Sequence, residues 1–203
     1  MSAAMIDAAP SPWLMRFAPL IPHGTVLDLA CGSGRHARWL AEQGRQVVAA
    51  DRNQAALQAL QSELIRTVCI DLEADDRWGV SPPSDRSIPL AVRELLQPDQ
   101  FAGVVVTNYL HRPLLPLLFD SLIDGGVLIY ETFAQGNAAF GKPSNPAFLL
   151  KSGELIDAAR AASCLMHVVA YEDGYVALPR SAMIQRLCAM RVDGVPITQR
   201  LVL

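Results

Sequence analysis

A glycine-rich turn after a short apolar run contains the residues best placed for chemistry. Residues 26–37 read VLDLACGSGRHA, in which Gly32, Gly34 and Ala37 satisfy the pattern G-x-G-x-x-G/A. Such a turn between a strand and a helix lets the backbone approach a nucleotide closely. Asp51 follows about 20 residues later, where a carboxylate can bind ribose hydroxyls. The spacing therefore predicts a turn that binds a nucleotide or a nucleoside.

Two further acidic residues narrow the choice of ligand. Asp28 lies just before Gly32, within the apolar run that leads into the turn. A carboxylate at this place repels a diphosphate but attracts a cationic group. Asp71 follows the third apolar run as Asp51 follows the second, and the two acids offer acceptors to a ribose diol and an exocyclic amine. The set favours a nucleoside that carries positive charge, and the glycine pattern alone leaves an NAD(P)-dependent oxidoreductase as the alternative.

The rest of the chain alternates between short apolar runs and helical patterns. This alternation predicts βαβ units, in which helices cover both faces of a mostly parallel sheet. Residues 172–181 join the last two runs without a helix, which favours an antiparallel pair. We therefore predict an α/β fold, a doubly wound, mostly parallel seven-stranded sheet with a C-terminal antiparallel hairpin. Its strands cover residues 25–30, 46–51, 66–71, 101–108, 126–133, 164–171 and 182–192, and its helices cover residues 11–21, 35–43, 113–123 and 152–162, with a further helix capped by Asn53.

Composition and charge exclude several classes of protein. Of the 203 residues, 51% are hydrophobic and 18% are charged, so the chain can bury a core and is not a disordered segment. No run approaches the roughly 20 apolar residues of a membrane-spanning helix. The net charge of −3, without a basic block, argues against nucleic acid as the partner.

Cysteine usage and the N-terminal residues bear on the compartment. The four cysteines are widely spaced and lack the pattern of a zinc site, so we predict free thiols and no metal. Residues 1–10 contain no positive region before an apolar run, and hence no signal peptide is predicted. We expect a cytoplasmic protein, and the sequence leaves its oligomeric state open.

The run DLACGSG, together with an acid after each of the next two strands, resembles the class I S-adenosylmethionine-dependent methyltransferases. The order of elements, closed by an antiparallel hairpin, resembles their fold as well. Within the class, GSGRH before an alternating apolar helix is similar to small bacterial enzymes of the tellurite-resistance and thiopurine type. The resemblance implies S-adenosyl-L-methionine as the cofactor, bound by a domain of residues 25–203 that follows an N-terminal helical segment of residues 1–24.

The resemblance also implies a role for each residue of the turn and the strand ends. The backbone of Ala30, Gly32 and Gly34 would lie against the methionine moiety, with Asp28 near its ammonium group. Asp51 would bind the ribose hydroxyls. The implied cofactor-binding set is Asp28, Ala30, Gly32, Gly34, Asp51, Arg52, Asn53, Asp71, Leu72 and Asn108, in which Arg52 and Asn53 flank Asp51 while Asp71 and Leu72 contact the adenine.

The methyl acceptor is expected beyond the ends of the fourth and fifth strands. The fourth strand ends in TNYLHR, from which Asn108, Tyr109 and His111 are the catalytic candidates and Arg112 is a further lining candidate. The signature Asp/Asn-Pro-Pro-Tyr of methyltransferases acting on DNA amino groups is not matched, because no proline lies between Asn108 and Tyr109. Glu131, near the end of the fifth strand, either holds the acceptor or forms a half-buried salt bridge.

The sequence therefore predicts an S-adenosylmethionine-dependent methyltransferase whose acceptor is a small molecule. Two alternatives stay open, an NAD(P)-dependent oxidoreductase and a non-catalytic S-adenosylmethionine-binding regulatory protein. Two long loops, residues 73–100 and 134–146, flank the predicted site. The second either closes over the acceptor or is an ordinary surface loop.

Overall fold

A single mixed sheet positions the site. A computed structural model describes residues 9–74, 88–178 and 180–193. Within these ranges the strands are β1 Val26–Leu29, β2 Val47–Asp51, β3 Ile65–Cys69, β4 Phe101–Thr107, β5 Leu122–Phe133, β6 Met166–Val176 and β7 Ala182–Arg191. They lie in the order β3-β2-β1-β4-β5-β7-β6. β1 to β5 are parallel, whereas β7 is antiparallel to β5 and β6, and the predicted fold and hairpin are therefore confirmed.

Helices cover both faces of the sheet, as a mostly parallel sheet requires. The α-helices of the described residues are α1 Pro12–Phe17, α2 Arg35–Glu42, α3 Gln54–Gln58, α4 Leu90–Leu95, α5 Leu115–Asp120 and α6 Glu154–Arg160. The first three pack on one face and the last three on the other. Among the described residues, no helix is long and apolar enough to cross a membrane.

The core follows from the alternation of side chains along each strand. Leu27 and Leu29 of β1 lie in one buried cluster, while Val26 of the same strand lies in the cluster on the opposite face. Burying a side chain of this size contributes roughly 1.5–3 kcal/mol. The apolar side chains of the predicted strands therefore form a core on each face of the sheet.

Helix α1 is held against the sheet by Glu131. Ser11 caps the helix by accepting from the Trp13 amide at 3.1 Å, and its hydroxyl donates to Glu131 Oε1 at 3.0 Å. Arg186 of β7 pairs with the other carboxylate oxygen and lies 5.7 Å from the centroid of the Trp13 ring. Glu131 therefore forms the half-buried salt bridge that was one of its two expected roles.

Several predicted element boundaries were wrong. The helix expected over residues 113–123 ends at Asp120, because fully buried Leu122 already pairs with Phe101 as the start of β5. The predicted hairpin link is largely strand, since β6 continues to Val176 along β7. Of the loop expected over residues 73–100, residues 75–87 lie outside the described part of the chain.

Candidate functional site

A cavity of about 690 Å³ opens along the carboxyl edge of the parallel strands, where ligands bind in α/β sheets. Its walls come from the carboxyl ends of β2 and β5 and from the segments that follow β1, β2, β3, β4 and β5. The described residues that line it are Ala30, Asp51, Arg52, Asn53, Ile70, Asp71, Leu72, Glu73, Asn108, Tyr109, Leu110, Thr132, Phe133, Pro143 and Phe148. The structure thus brings seven of the ten predicted cofactor-binding residues to one cavity.

The glycine-rich turn adopts a left-handed backbone at three places. Ala30, Gly32 and Gly34 have φ values of 54°, 56° and 75°. A Cβ on Gly34 would come within 2.3 Å of the Leu60 side chain, so close packing as well as φ requires glycine there. Of the three turn residues, Ala30 lines the cavity, while Gly32 and Gly34 shape the turn. Their predicted contact with the methionine moiety stays a prediction.

Asp51 is fixed at the cavity by the turn itself. Its Oδ2 accepts from the Gly32 amide at 2.8 Å, and its Oδ1 accepts from the Asn53 amide at 2.8 Å. Asn53 also caps α3, because its side chain accepts from the Ala56 amide. Each Asp51 oxygen keeps a second lone pair, and the carboxylate can therefore accept hydrogen bonds from a diol as well.

Asp28 lies beneath the turn rather than in the cavity wall. Its side chain is 1% exposed, and Oδ2 accepts from the Ala37 amide in the first turn of α2 at 2.9 Å. Oδ1 is buried without a hydrogen bond to any described residue. Burial raises the pKa of this carboxyl to about 7. The free oxygen suits a cationic partner, but the predicted contact with an ammonium group stays a prediction.

The acidic end of the cavity lies after β3. Asp71 Oδ1 accepts from the Glu73 amide at 3.0 Å, and Asp71, Leu72 and Glu73 all line the cavity. The Tyr109 hydroxyl is buried and makes no hydrogen bond of good geometry within the described residues. Burial, followed by the Glu73 and Asp71 carboxylates nearby, raises the pKa of this phenol. Tyr109 therefore lies at the acidic end, and Tyr130 fixes its backbone by donating to its carbonyl at 2.9 Å.

The remaining candidates from the fourth strand separate in space. Asn108 lines the cavity with a left-handed backbone at φ 55°, and its backbone N–H donates to the Glu131 carbonyl at 2.9 Å. His111 is not among the residues that line the cavity, and it precedes a 3-10 turn over Arg112–Leu114. Its predicted catalytic role therefore receives no support from the geometry of the cavity.

Arg112 organises the wall opposite the acidic end. Its guanidinium donates to the backbone carbonyls of Ala147 and Leu149 at 2.6 and 2.9 Å and pairs with Glu154. These bonds hold the 3-10 turn Pro146–Phe148, which brings Phe148 to the cavity. Arg112 thus acts on the wall through the backbone and is not itself a lining residue.

The loop after β5 is held in place by Asn137. This side chain is 2% exposed, donates to the Pro143 carbonyl at 2.9 Å and accepts from the Met183 amide of β7 at 3.2 Å. The loop therefore forms a preformed wall of the cavity. The loop was predicted to flank the site, but no role was predicted for Phe133, Pro143 or Phe148; the aromatic residues at both ends of the loop were the available signal for the two phenylalanines.

His36, beside the turn, is a buried structural residue. Its Nδ1 lies 3.1 Å from the Thr107 hydroxyl at the end of β4. Burial lowers the pKa of the imidazole to about 3. The ring is therefore neutral at physiological pH and links α2 to the end of β4, which Asn108 follows.

The fold is Rossmann-like, with a cavity at the carboxyl edge of its parallel strands. Residues 26–112, which include the turn and all three strand-end segments through β4, match the methyltransferase domain family. No curated protein matches the sequence. The fold is that of solved S-adenosylmethionine-dependent methyltransferases.

Solved structures show the same fold at low sequence identity. TehB from Haemophilus influenzae aligns over 90% of this chain with a TM-score of 0.63 and 16% identity, and this chain spans 62% of the TehB chain. A putative methyltransferase from Listeria monocytogenes aligns over 88% of this chain and 97% of its own, with a TM-score of 0.57 and 14% identity. The 1,6-didemethyltoxoflavin-N1-methyltransferase of Burkholderia thailandensis aligns over 94% of this chain and 79% of its own, with a TM-score of 0.59 and 21% identity.

Proposed function

We propose that the protein transfers a methyl group from S-adenosylmethionine to a small-molecule acceptor bound beside Thr132 and Phe133. One observation carries the proposal: a single cavity joins the acids after β2 and β3 to the aromatic wall after β5. In the sheet, β3 and β5 are separated by four strand spacings of about 4.8 Å, or roughly 19 Å. The cavity is thus long enough for a nucleoside and a second molecule placed end to end.

The residues at the acidic end fit the cofactor. Asp51 offers free lone pairs to the ribose hydroxyls, and Asp71 offers an acceptor to the adenine amine. The unpartnered oxygen of buried Asp28 suits a positively charged methionine moiety above the turn. When bound, S-adenosylmethionine supplies an electrophilic methyl group on a positively charged sulfur.

The chain's own contribution to the reaction is mainly position. Ala30 and Asn108 lie between the two ends of the cavity, at the ends of the adjacent strands β1 and β4. An in-line displacement gains most of its rate from holding the nucleophile and the methyl carbon at reacting distance and angle. Leu110, Phe133 and Phe148 add apolar walls that exclude water from this place.

A small acceptor is favoured over nucleic acid by the charge of the molecule. Its net charge is −3, and three of the lining residues are carboxylates. A nucleic acid backbone would be repelled by such a surface. The Burkholderia thailandensis neighbour, whose structure holds 1,6-didemethyltoxoflavin and S-adenosylhomocysteine, supports a small molecule by analogy.

Isothermal titration with S-adenosylhomocysteine tests the cofactor, and a panel of thiols, metalloid oxyanions, phenols and RNA tests the acceptor. We expect saturable binding and methyl transfer to a member of the small-molecule classes. Absence of binding would overturn the proposal. Binding with no transfer to any member would favour the regulatory alternative, and transfer to RNA alone would overturn the small-molecule acceptor.

A further inference from the structure

We propose that the acceptor is a planar aromatic molecule with a negative charge, bound against Phe133 and Phe148. The inference rests on the proposed function, because it names the substrate class for the same cavity. Phe133 ends β5 and is 7% exposed, whereas Phe148 is 39% exposed although it lines the cavity. Thr132 and Pro143 complete this end. Aromatic side chains of this kind pair with flat rings by stacking or edge-to-face contact.

This aromatic wall is preformed. The Arg112 guanidinium holds the backbone on both sides of Phe148, and buried Asn137 holds the Pro143 carbonyl. A site that is rigid before binding loses little entropy when a ligand orders it. The exposed part of the Phe148 ring is thus kept at the cavity, where an apolar ligand can cover it.

Cations lie near this end of the cavity, although Arg180, Lys142 and Lys151 are not lining residues themselves. The Arg180 guanidinium lies 5.2 Å from the centroid of the Phe133 ring. Residues 134–151 contain two charged side chains, Lys142 and Lys151, and both are cations. The nearest carboxylates along the chain are neutralised, since Glu131 pairs with Arg186 and Glu154 pairs with Arg112.

The charged side chains among the described lining residues, three carboxylates and the cation Arg52, all lie at the other end of the cavity. The lining carboxylates Asp51, Asp71 and Glu73 follow β2 and β3, three and four strands away from β5. An anionic ring gains from Arg180 and avoids these acids when it binds at the aromatic end. In the reaction, an oxygen, nitrogen or sulfur atom of the ring donates the electron pair of the new bond to the methyl carbon. The carbon–sulfur bond breaks with its pair going to sulfur, and any proton on the nucleophile leaves to water.

Binding to the protein saturated with S-adenosylhomocysteine tests the inference without relying on turnover. The probe is 2-naphthoate, compared by calorimetry with 2-naphthamide, which lacks the charge, and decalin-2-carboxylate, which lacks the flat ring. We expect 2-naphthoate to bind about fivefold more tightly than either.

Two variants test whether Arg180 and Phe148 cause the preference for 2-naphthoate. Arg180→Gln should weaken 2-naphthoate about fivefold and abolish its advantage over the amide. Phe148→Leu should remove the advantage over the saturated ring. The matched control is Arg16→Gln, because Arg16 lies 4.9 Å from the centroid of the Phe17 ring on α1, away from the cavity lining. This control should leave all three affinities unchanged.

The outcomes separate this inference from the proposed function. Equal affinities for the three probes, or no binding of 2-naphthoate to a protein that binds S-adenosylhomocysteine, would overturn the aromatic, anionic acceptor alone. Failure of S-adenosylhomocysteine to bind would overturn the proposed function itself. An equal loss of 2-naphthoate affinity in Arg16→Gln and Arg180→Gln would show that Arg180 acts by overall charge and not at the site.

Discussion

Asp28 combines burial with a single hydrogen bond, and its pKa of about 7 makes stability depend on pH. The unfolded chain releases this proton near pH 4, so the folded protein binds more protons between about pH 4 and pH 7. Stability should therefore fall as pH rises through this window. Asp28→Asn keeps an oxygen for the Ala37 amide and removes the charge. We expect it to stabilise the free protein at pH 8 by about 1–3 kcal/mol, measured by urea unfolding.

The same substitution tests the cofactor role of Asp28. If its free oxygen faces the methionine moiety, Asp28→Asn should weaken S-adenosylhomocysteine binding while it raises stability. The stability difference should vanish near pH 3, where the carboxyl is neutral in both states. A variant that is stabilised at pH 8 but binds with unchanged affinity would limit Asp28 to supporting α2.

Asp51 should contribute to cofactor affinity through its two free lone pairs. Asp51→Asn replaces one carboxylate oxygen, which accepts hydrogen bonds, with an amide NH2 group, which donates them. We expect S-adenosylhomocysteine to bind roughly 10- to 100-fold more weakly by calorimetry. Asp157→Asn is the matched control, since the Asp157 carboxylate is 72% exposed on α6. Because Asp51 also holds the Gly32 amide, thermal unfolding of the free variant must be measured alongside. Unchanged affinity in a folded variant would remove Asp51 from the ribose role.

Tyr109 was predicted as a catalytic residue, and its place beside Asp71 and Glu73 argues for a role in cofactor binding. Tyr109→Phe removes one hydroxyl and leaves the ring in the wall. We expect the KM for S-adenosylmethionine to rise about fivefold, equivalent to one hydrogen bond, with kcat unchanged. A lower kcat at unchanged KM would instead restore the catalytic role. The loss should be the same at pH 7 and pH 9, because the raised pKa keeps the phenol protonated throughout.

Which side chains reach the cavity was only partly predictable from the sequence. Asp51 and Asp71 were predictable because a residue after a parallel strand must lie at the carboxyl edge of the sheet. The directions of Tyr109 and His111 were not, since both follow the end of β4. There the left-handed backbone of Asn108 and the bond from Tyr130 decide which side chain turns inward.

Among the structural elements, the turn Pro146–Phe148 is held by Arg112, and these bonds should affect binding of the acceptor but not binding of the cofactor. Arg112→Gln removes the salt bridge with Glu154 and the two hydrogen bonds to the carbonyls of Ala147 and Leu149. The turn that contains Phe148 is then no longer held in place. We expect a several-fold rise in KM for the acceptor and little change in affinity for S-adenosylhomocysteine. Steady-state kinetics measure the KM for the acceptor, and calorimetry measures the affinity for S-adenosylhomocysteine.

Arg191→Gln provides the comparison for Arg112. Arg191 also donates to two backbone carbonyls, those of Asp120 and Leu122, but near the start of β5, at the opposite end from the cavity. It should lower stability without altering the KM for the acceptor. Equal effects of the two variants on KM would show that Arg112 acts through global stability alone.

Strand positions were predictable because continuous apolar runs bounded by glycine or proline are typical of strands buried on both faces. Element ends were less predictable. The length of β6 depends on pairing with β7, and the early start of β5 depends on Leu122 entering the core. Such long-range contacts leave no local signal, so the helix before β5 was predicted too long.

For the whole molecule, the cavity spans segments from five strands, and a ligand that binds it should stabilise the folded chain as a unit. At a ligand concentration 100 times Kd, linkage predicts about 2.7 kcal/mol of added stability. For a chain of this size, that corresponds to a rise in Tm of roughly 5–10 °C. S-adenosylhomocysteine should produce this shift in thermal unfolding, whereas NADH should not, because the diphosphate would meet the Asp51 carboxylate beside the turn. Hydrogen exchange should slow at the turn and after β2 and β3 together. Equal shifts with both ligands would indicate a site that does not discriminate between a charged nucleoside and a dinucleotide.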